Sequence, residues 1–273
     1  MRYYLETNAL RALGGSVGNN KELLKQSYTS TFSLFELTKG IGRSRDSDVR
    51  LGVLKALQAV ELSFIDFMPF EMMELAFGGG AYVLESEAVK DKIRSILSNT
   101  ELTQHNYDKI IERYEFGTKV FQTKVTMAYA VPASPPKTVH LDLDKMFSPE
   151  RETPDYLKKL PKNLHPSRVI MECMKQKDAP ATYKALYPDS ELSSQEILSI
   201  YNNSLDLYFF ASFGYDLKRK CLREAASKND LLDVLHTIYL VDHDNVIVSN
   251  DAIFSTVLPD INTISVEQYR KLI

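Results

Sequence analysis

Residues 3–10 read YYLETNAL, and this stretch decides the predicted fold of the chain. Its first three residues form a short apolar and aromatic run of the kind that makes a buried β-strand. A helical pattern begins near Thr7 and is ended by the glycine-containing segment at residues 14–20. Glu6 therefore lies where a strand passes into a helix, and acidic residues recur at similar junctions further along the chain.

The alternation of strand and helix patterns is found at both ends of the chain. Strands are predicted at residues 2–6, 28–32, 63–67, 245–248 and 261–264. Apolar residues show helical spacing at residues 34–41 and 48–62, after Pro69, from Asn229 and from Ala252. Parallel neighbours in a sheet need crossover connections, which are generally helical. The sequence thus predicts an α/β fold with a central, mainly parallel sheet to which both ends of the chain contribute.

The middle of the chain has a different pattern. Residues 86–130 have helical spacing with few strand signals, and a proline-rich connector follows at residues 132–136. We therefore predict one α/β domain that is made of residues 1–78 and 193–273 and is interrupted by a mostly helical insertion at residues 79–192.

Composition limits the class of protein. The chain has 273 residues, of which 44% are hydrophobic, and this content is typical of a packed globular protein. Its two cysteines, Cys173 and Cys221, lack the spacing of a zinc site or a disulfide scaffold, so we expect reduced thiols. No leader peptide or long apolar run is visible, which predicts a soluble, cytoplasmic protein without a membrane segment. The net charge of −3 provides no overall basic field for nucleic acid.

Five acidic residues mark the ends of strands or the start of a helix. Glu6, Glu36 and Asp251 fall at or just after predicted strand ends, and Asp230 and Asp233 lie at the start of a predicted helix. Ligands of open α/β sheets bind outside the carboxyl ends of the strands, so we expect these acids to converge. Neighbouring carboxylates repel one another unless cations neutralise them, and Mg²⁺ or Mn²⁺ prefer such oxygen ligands. The cluster predicts metal-dependent hydrolysis of a phosphodiester.

Helix capping is the structural alternative for these acids. Glu36 would complete a capping box with Ser33, and Asp251 could cap a helix starting at Ala252. Either Asn229 or Asp230 could cap the helix that follows them. Glutamate is not a preferred N-cap residue, so capping explains Glu6 less well than a ligand role does.

Four segments carry a resemblance to PIN-domain ribonucleases. They are YLETN at residues 4–8, SLFEL at residues 33–37, NDLLDVLH at residues 229–236 and VIVSND at residues 246–251. The first resembles the opening D-T-N strand of that family, and the others are similar to its second acidic motif, its N-D-x-x-D-x-x-H variant and its final v-T-x-D. The match covers residues 1–78 and 193–273, and Glu6 stands where the family has aspartate.

The resemblance implies a three-layer α/β/α fold and a catalytic, metal-binding set of acids. That set comprises Glu6, Glu36, Asp233 and Asp251, with Asp230 as the alternative to Asp233. Asn8 and Ser249 would orient the acids, a role that metal sites commonly require. His236 would position a carboxylate or the substrate, although a satisfied core histidine fits its place equally well.

The activity that the resemblance implies is that of an Mg²⁺- or Mn²⁺-dependent endoribonuclease acting on single-stranded RNA. A basic stretch containing Lys218, Arg219 and Arg223 precedes the third acidic motif and would guide the RNA backbone, with an ordinary solvated helix face as its alternative. Small relatives in toxin-antitoxin pairs imply an inhibitory protein partner. The second hypothesis is a non-catalytic RNA- or protein-binding module on a degenerate PIN scaffold.

Overall fold

The computed structural model describes residues 1–42, 44–80, 84–99, 105–130, 168–222, 226–227, 229–258 and 262–272. Within them the protein is a mixed α/β structure with a five-stranded sheet in which every pairing is parallel. The strands are β1 (Tyr3–Leu5), β2 (Ser27–Ser30), β3 (Ser63–Ile65), β4 (Val246–Val248) and β5 (Thr263–Ile264). These strands confirm the predicted parallel α/β class; residue 261 of the last predicted strand lies outside the described residues.

Thirteen helices surround this sheet in the described residues. They are α1 (Thr7–Leu13), α2 (Lys21–Lys25), α3 (Thr31–Gly40), α4 (Ser47–Gln58), α5 (Pro69–Leu75), α6 (Leu84–Ser98), α7 (His105–Ala130), α8 (Arg168–Leu186), α9 (Ser194–Ile200), α10 (Asp206–Leu222), α11 (Asp230–His236), α12 (Phe254–Val257) and α13 (Val266–Arg270). Two 3₁₀ turns, Gly14–Gly18 and Thr237–Tyr239, extend α1 and α11. The helices α2 and α13, each of five residues, were not predicted.

The strand order is β3-β2-β1-β4-β5. The strands β2 and β3 are added in turn on one side of β1. The strands β4 and β5 are then added in turn on its other side. Tyr4 of β1 is in register with Tyr28 of β2 and with Ile247 of β4. The order therefore reverses between β1 and β4, and this is the point where open α/β sheets form their ligand crevice.

Alternate residues of the central strands enter two separate apolar clusters. Tyr4 and Ile247 belong to one cluster, whereas Leu5, Val246 and Val248 belong to the other. Both faces of the sheet are therefore covered, which explains why β1 and β4 are apolar or aromatic at every position.

The described part of the predicted insertion packs on the same core as the strands. Val89 of α6, Tyr107 and Ile111 of α7, and Ala179 of α8 all lie in the apolar cluster that contains Tyr4. The helical character predicted for this region is confirmed in α6, α7 and α8, while the proline-rich connector lies outside the described residues.

None of the helices in the described ranges has the combination of length and apolar composition that crossing a membrane requires.

Candidate functional site

Glu6 joins β1 to α1 and caps the helix. Its carboxylate accepts hydrogen bonds from the backbone amides of Asn8 at 2.6 Å and Ala9 at 3.0 Å. The side chain is buried, with 2% of its surface exposed. The expectation that capping explains Glu6 poorly is therefore wrong, because the glutamate side chain reaches two amides that the first turn of α1 leaves without helical partners.

Glu36, by contrast, does not cap a helix. The helix α3 starts at Thr31, directly after β2, and its N-cap is Ser30, whose hydroxyl accepts a hydrogen bond from the amide of Ser33 at 3.2 Å. The predicted capping box through Ser33 is wrong because the helix begins earlier than the apolar spacing indicated. Glu36 consequently lies in the second turn, and its side chain is directed to tertiary partners.

The capping alternative also fails for the other two acids. The helix α12 begins only at Phe254, and no side chain caps it. Asn229 occupies the N-cap position of α11, again without a side-chain cap. The carboxylates of Asp251 and Asp230 are therefore held by contacts other than capping.

A buried hydrogen-bonded chain holds Glu36. His236, which is 1% exposed, places Nε2 at 2.7 Å from Glu36 Oε2 and Nδ1 at 2.7 Å from the hydroxyl of Tyr4. The hydroxyl of Thr7 donates to the same Glu36 oxygen. Tyr4 also contacts the hydroxyl of Ser30 at 2.7 Å. His236 thus contacts a carboxylate, and with both ring nitrogens bonded in the core it equally fits the alternative of a satisfied core histidine.

These hydrogen bonds favour an ion pair between His236 and Glu36. Burial raises the pKa of Glu36, but His236 and Thr7 outweigh burial and leave this pKa below its ordinary value. Burial lowers the pKa of His236, whereas the nearby carboxylates of Glu36, Glu6 and Asp233 raise it above its ordinary value. A protonated imidazole donates from both nitrogens, so His236 can satisfy Tyr4 and Glu36 together.

The other two acids line the same cavity as the first two. Asp251 follows β4, and its Oδ2 accepts a hydrogen bond from Asn8 Nδ2 at 2.7 Å, while its amide donates to Ser249 Oγ at 2.9 Å. Burial, followed by repulsion from Asp251 and Glu36, raises the pKa of Asp233 to about 8. Burial also raises the pKa of Glu6 to about 7, against the opposing influence of His236. Raised carboxyl pKa values of this kind cluster at functional sites.

The cavity has a volume of about 420 Å³ and lies beside the point where the strand order reverses. Its acidic residues are Glu6, Glu36, Glu115, Asp233 and Asp251, and its basic residues are Arg11, Lys39 and Arg50. The remaining lining is provided by Thr7, Asn8, Gly40, Ser44, Asn229 and Leu232. The structure thus brings together four of the five predicted acids from four distant segments and adds a fifth acid, Glu115, from α7.

The donor chemistry of the cavity suits a hard divalent cation, because carboxylate oxygens are the ligands that Mg²⁺ and Mn²⁺ prefer. As the side chains stand, no group of three or more His, Cys, Asp or Glu residues in the described part of the chain is arranged to hold an ion. Protein donors occupy oxygens of Glu6, Glu36 and Asp251. A cation would therefore have to use the remaining lone pairs or displace one of these donors.

Asp230 is not part of the cavity, so the expectation that it joins the acids is not met. Its Oδ2 accepts hydrogen bonds from the hydroxyl of Tyr215 at 2.7 Å, from Arg219 Nη2 at 2.6 Å and from the amide of Ser227 at 2.8 Å. These bonds fasten α11 to α10. Asp233, which the sequence favoured over Asp230 for this place, is the aspartate of α11 that lines the cavity with the other acids.

No described residue of the basic stretch that was predicted to guide RNA lines the cavity. Arg219 is nearly buried and pairs with Asp230 instead of lining the cavity. Arg223 and the side chain of Lys218 lie outside the described residues. The basic residues that do line the cavity come from α1, α3 and α4.

Two arginines that the sequence analysis did not single out support the site. Arg11 forms an ion pair with Asp46 and donates from Nη1 to Asn8 Oδ1 at 3.1 Å. Arg50 contacts Asp46 through Nε at 3.1 Å and donates from Nη1 to the backbone carbonyl of Glu36 at 2.7 Å. The spacing of Asp46 and Arg50, four residues apart, was a visible signal for a helical ion pair. The pairing with Arg11 depends on tertiary structure.

Comparisons with protein-family models, with curated proteins and with solved structures found no match to this chain. The function is therefore inferred from the geometry and chemistry of the cavity.

Proposed function

We propose that this protein is a PIN-like, Mg²⁺- or Mn²⁺-dependent endoribonuclease that hydrolyses phosphodiester bonds of single-stranded RNA. The observation that carries the proposal is the meeting of Glu6, Glu36, Asp233 and Asp251 in one cavity at the carboxyl end of a parallel sheet. The strand order and the apolar clusters on both faces of the sheet are consistent with the three-layer arrangement that the resemblance implies.

The acids would act as ligands, and their neighbours would keep them in position. Glu36 is held by His236 and Thr7, and Asp251 is held by Asn8. A divalent ion at this place would polarise a phosphodiester oxygen and lower the pKa of an attacking water molecule. In the reaction the water oxygen bonds to phosphorus, and the bond from phosphorus to the leaving ribose oxygen breaks as that oxygen takes up a proton.

The raised pKa values of Asp233 and Glu6 support a cationic occupant. Both acids are buried and lie near other carboxylates, so the ionised form of each is electrostatically unfavourable. A bound cation reverses that cost, because it favours the charged form of every neighbouring carboxylate. Structural ion pairs do not explain Asp233, since the groups that raise its pKa after burial are like charges.

The test is cleavage of a labelled single-stranded RNA by the purified protein with Mn²⁺ or Mg²⁺. We expect cleavage that a chelator abolishes and that Asp251→Asn reduces by at least about 100-fold, because loss of a metal ligand should cost at least as much as the roughly 10–100-fold typical for loss of an outer-shell partner. Asp189→Asn is the matched control, because Asp189 is exposed and lies outside the cavity. Equal activity of the two variants would contradict the proposal, since contaminating nuclease would then explain the cleavage.

The capping bonds of Glu6 favour a second candidate function, a non-catalytic RNA- or protein-binding module. Both oxygens of this carboxylate are used by the amides of α1, and the residue differs from the family's aspartate. Aspartate is a good N-cap residue, so Glu6→Asp should retain the cap while moving the carboxylate. Cleavage that is absent in the wild-type protein but present in Glu6→Asp would favour the module over the nuclease.

A further inference from the structure

The cavity is lined by residues that repel RNA and by residues that attract it. The four converging acids repel phosphate, and under the proposed function divalent cations neutralise them. Arg11, Lys39 and Arg50 line the same cavity. An RNA chain carries phosphates on both sides of the bond that is cut, so a phosphate adjacent to the reacting one also needs a positive partner.

Two of these three basic side chains are already committed. Arg11 and Arg50 both pair with Asp46, and each also donates to a segment that carries an acid. They maintain the wall of the cavity. Lys39 is the remaining cation among the described residues that line it.

Lys39 has only a loose partner. Its ammonium lies 3.6 Å from Glu115 Oε1, at the long end of the range for an ion pair. The side chain of Glu115 is 51% exposed, whereas that of Lys39 is 25% exposed. Ion pairs that face water contribute little to stability, because the solvent screens them and both long side chains must be ordered. This pair can therefore open at small cost.

Lys39 is also close to the proposed reaction centre. It follows Glu36 by three residues on α3, so the two side chains lie on the same face of the helix. Its charge is one of the influences that lower the pKa of Glu36. A phosphate held by Lys39 would thus lie next to the acids.

We propose that Glu115 forms an ion pair with Lys39 in the free protein and that a phosphate of the RNA backbone replaces Glu115 when substrate binds. The proposal rests on the proposed function for the identity of the substrate. It assigns α7, a helix of the predicted insertion, a direct role: Glu115 competes with RNA for the cation at the cavity rim. A negatively charged phosphate is a suitable replacement for a carboxylate, because a lysine ammonium binds either one as a point charge.

Binding is measured by fluorescence anisotropy of a labelled single-stranded RNA, with chelator present so that no cleavage occurs. All variants are compared under identical conditions. We expect Lys39→Gln to weaken binding and Glu115→Gln to strengthen it, each by about twofold to fivefold at low salt, as one partly screened charge would. Lys39→Gln should also reduce the salt dependence, the slope of log K against log salt, by about 0.7, the value for one phosphate contact to a single strand.

Two control variants make the same charge changes outside the cavity. Lys55 is exposed on α4, and Glu112 is exposed on α7 three residues before Glu115. Lys55→Gln and Glu112→Gln should change RNA affinity much less than the variants at Lys39 and Glu115. Equal effects in the controls would overturn the proposal, because net charge alone would then explain the binding.

The double variant tests whether Glu115 acts through Lys39. If Glu115 competes with RNA for Lys39, Glu115→Gln should bring little gain once Lys39→Gln is present. A full gain in the double variant would overturn the proposal, since Glu115 would then repel RNA generally. Failure of the wild-type protein to bind RNA would overturn it as well.

The binding assay and the cleavage assay fail independently. RNA binding that depends on Lys39 and Glu115 in a protein that cleaves nothing would support the rim contact and contradict the nuclease. Metal-dependent cleavage with binding unaffected by either substitution would support the nuclease and overturn the rim contact.

Discussion

His236 is the side chain on which the geometry of Glu36 depends most. It is buried, and its two ring nitrogens contact Glu36 and Tyr4. We expect His236→Ala to lower the free energy of unfolding by about 3–5 kcal/mol, because removal of one partner leaves a nearly buried carboxylate uncompensated. Urea denaturation measures this change. His243→Ala, at a histidine with 62% of its side chain exposed, should stay within about 0.5 kcal/mol of wild type, and similar losses for both variants would contradict the assignment.

The shifted carboxyl groups predict how stability depends on pH. The pKa of Asp233 is raised to about 8 and that of Glu6 to about 7, from ordinary values of 3.8 and 4.5. Between pH 4.5 and 8 the folded protein therefore retains protons that the unfolded chain has lost, so the metal-free protein should lose stability as pH rises through this range. The raised pKa of His236 acts in the same direction.

Thermal unfolding in chelator across this pH range measures the effect, and Asp233→Asn should flatten the curve. Added Mg²⁺ should stabilise the protein more at the alkaline end, because metal ligands bind in their deprotonated form. A melting temperature that rises with pH in chelator would contradict this account of the acids.

The helix α11 carries two aspartates with opposite roles. Asp230 is bonded to Tyr215 and Arg219, whereas the pKa of Asp233 is raised by like charges after burial. At pH 8 in chelator we expect Asp230→Asn to lower the free energy of unfolding by about 3 kcal/mol, because it breaks a nearly buried ion pair. Asp233→Asn should raise it, because a repelled charge is removed. Chemical denaturation of the two variants checks the signs, and equal signs would contradict the assignment.

The strands and the capping residues show what sequence could and could not predict. Each short apolar segment, such as Tyr3–Leu5, was recognisable because breakers and helical patterns surround it. Capping was assigned from residue type, and the structure reverses it: Glu6 caps α1, while Glu36 and Asp251 do not cap. The partners of Glu36 and Asp251, His236 and Asn8, are distant in sequence, and no local pattern identifies such partners.

The whole molecule is held by a core to which strands and inserted helices both contribute. Tyr107 and Ile111 of α7 share one apolar cluster with Phe35 and Tyr4. We expect that joining residues 1–78 directly to residues 193–273 will give a chain without cooperative unfolding, because much of that cluster would become exposed. Near-ultraviolet circular dichroism and thermal scans check this. A cooperative transition close to that of the intact protein would show instead that the inserted helices are dispensable for the fold.

The topology of the sheet predicted that the acids converge, but it did not predict which other residues line the cavity. Parallel strands place their carboxyl ends along one edge, so Glu6 and Asp251 were expected to meet. Glu115 lies on a helix of the region that the sequence assigned to a separate insertion. Its contact with Lys39 depends on how α7 packs against α3, which no spacing within either helix records.

Asn8 and Asp251 are hydrogen-bonded although they are 243 positions apart. A nascent chain that contains only β1, β2 and β3 therefore carries two of the four converging acids, Glu6 and Glu36. The cavity closes only after β4 has emerged and inserted beside β1, since the neighbouring register of these strands sets the distance between their ends. Under the proposed function, a nascent chain that lacks β4 would have no complete acidic cluster and would not cleave RNA.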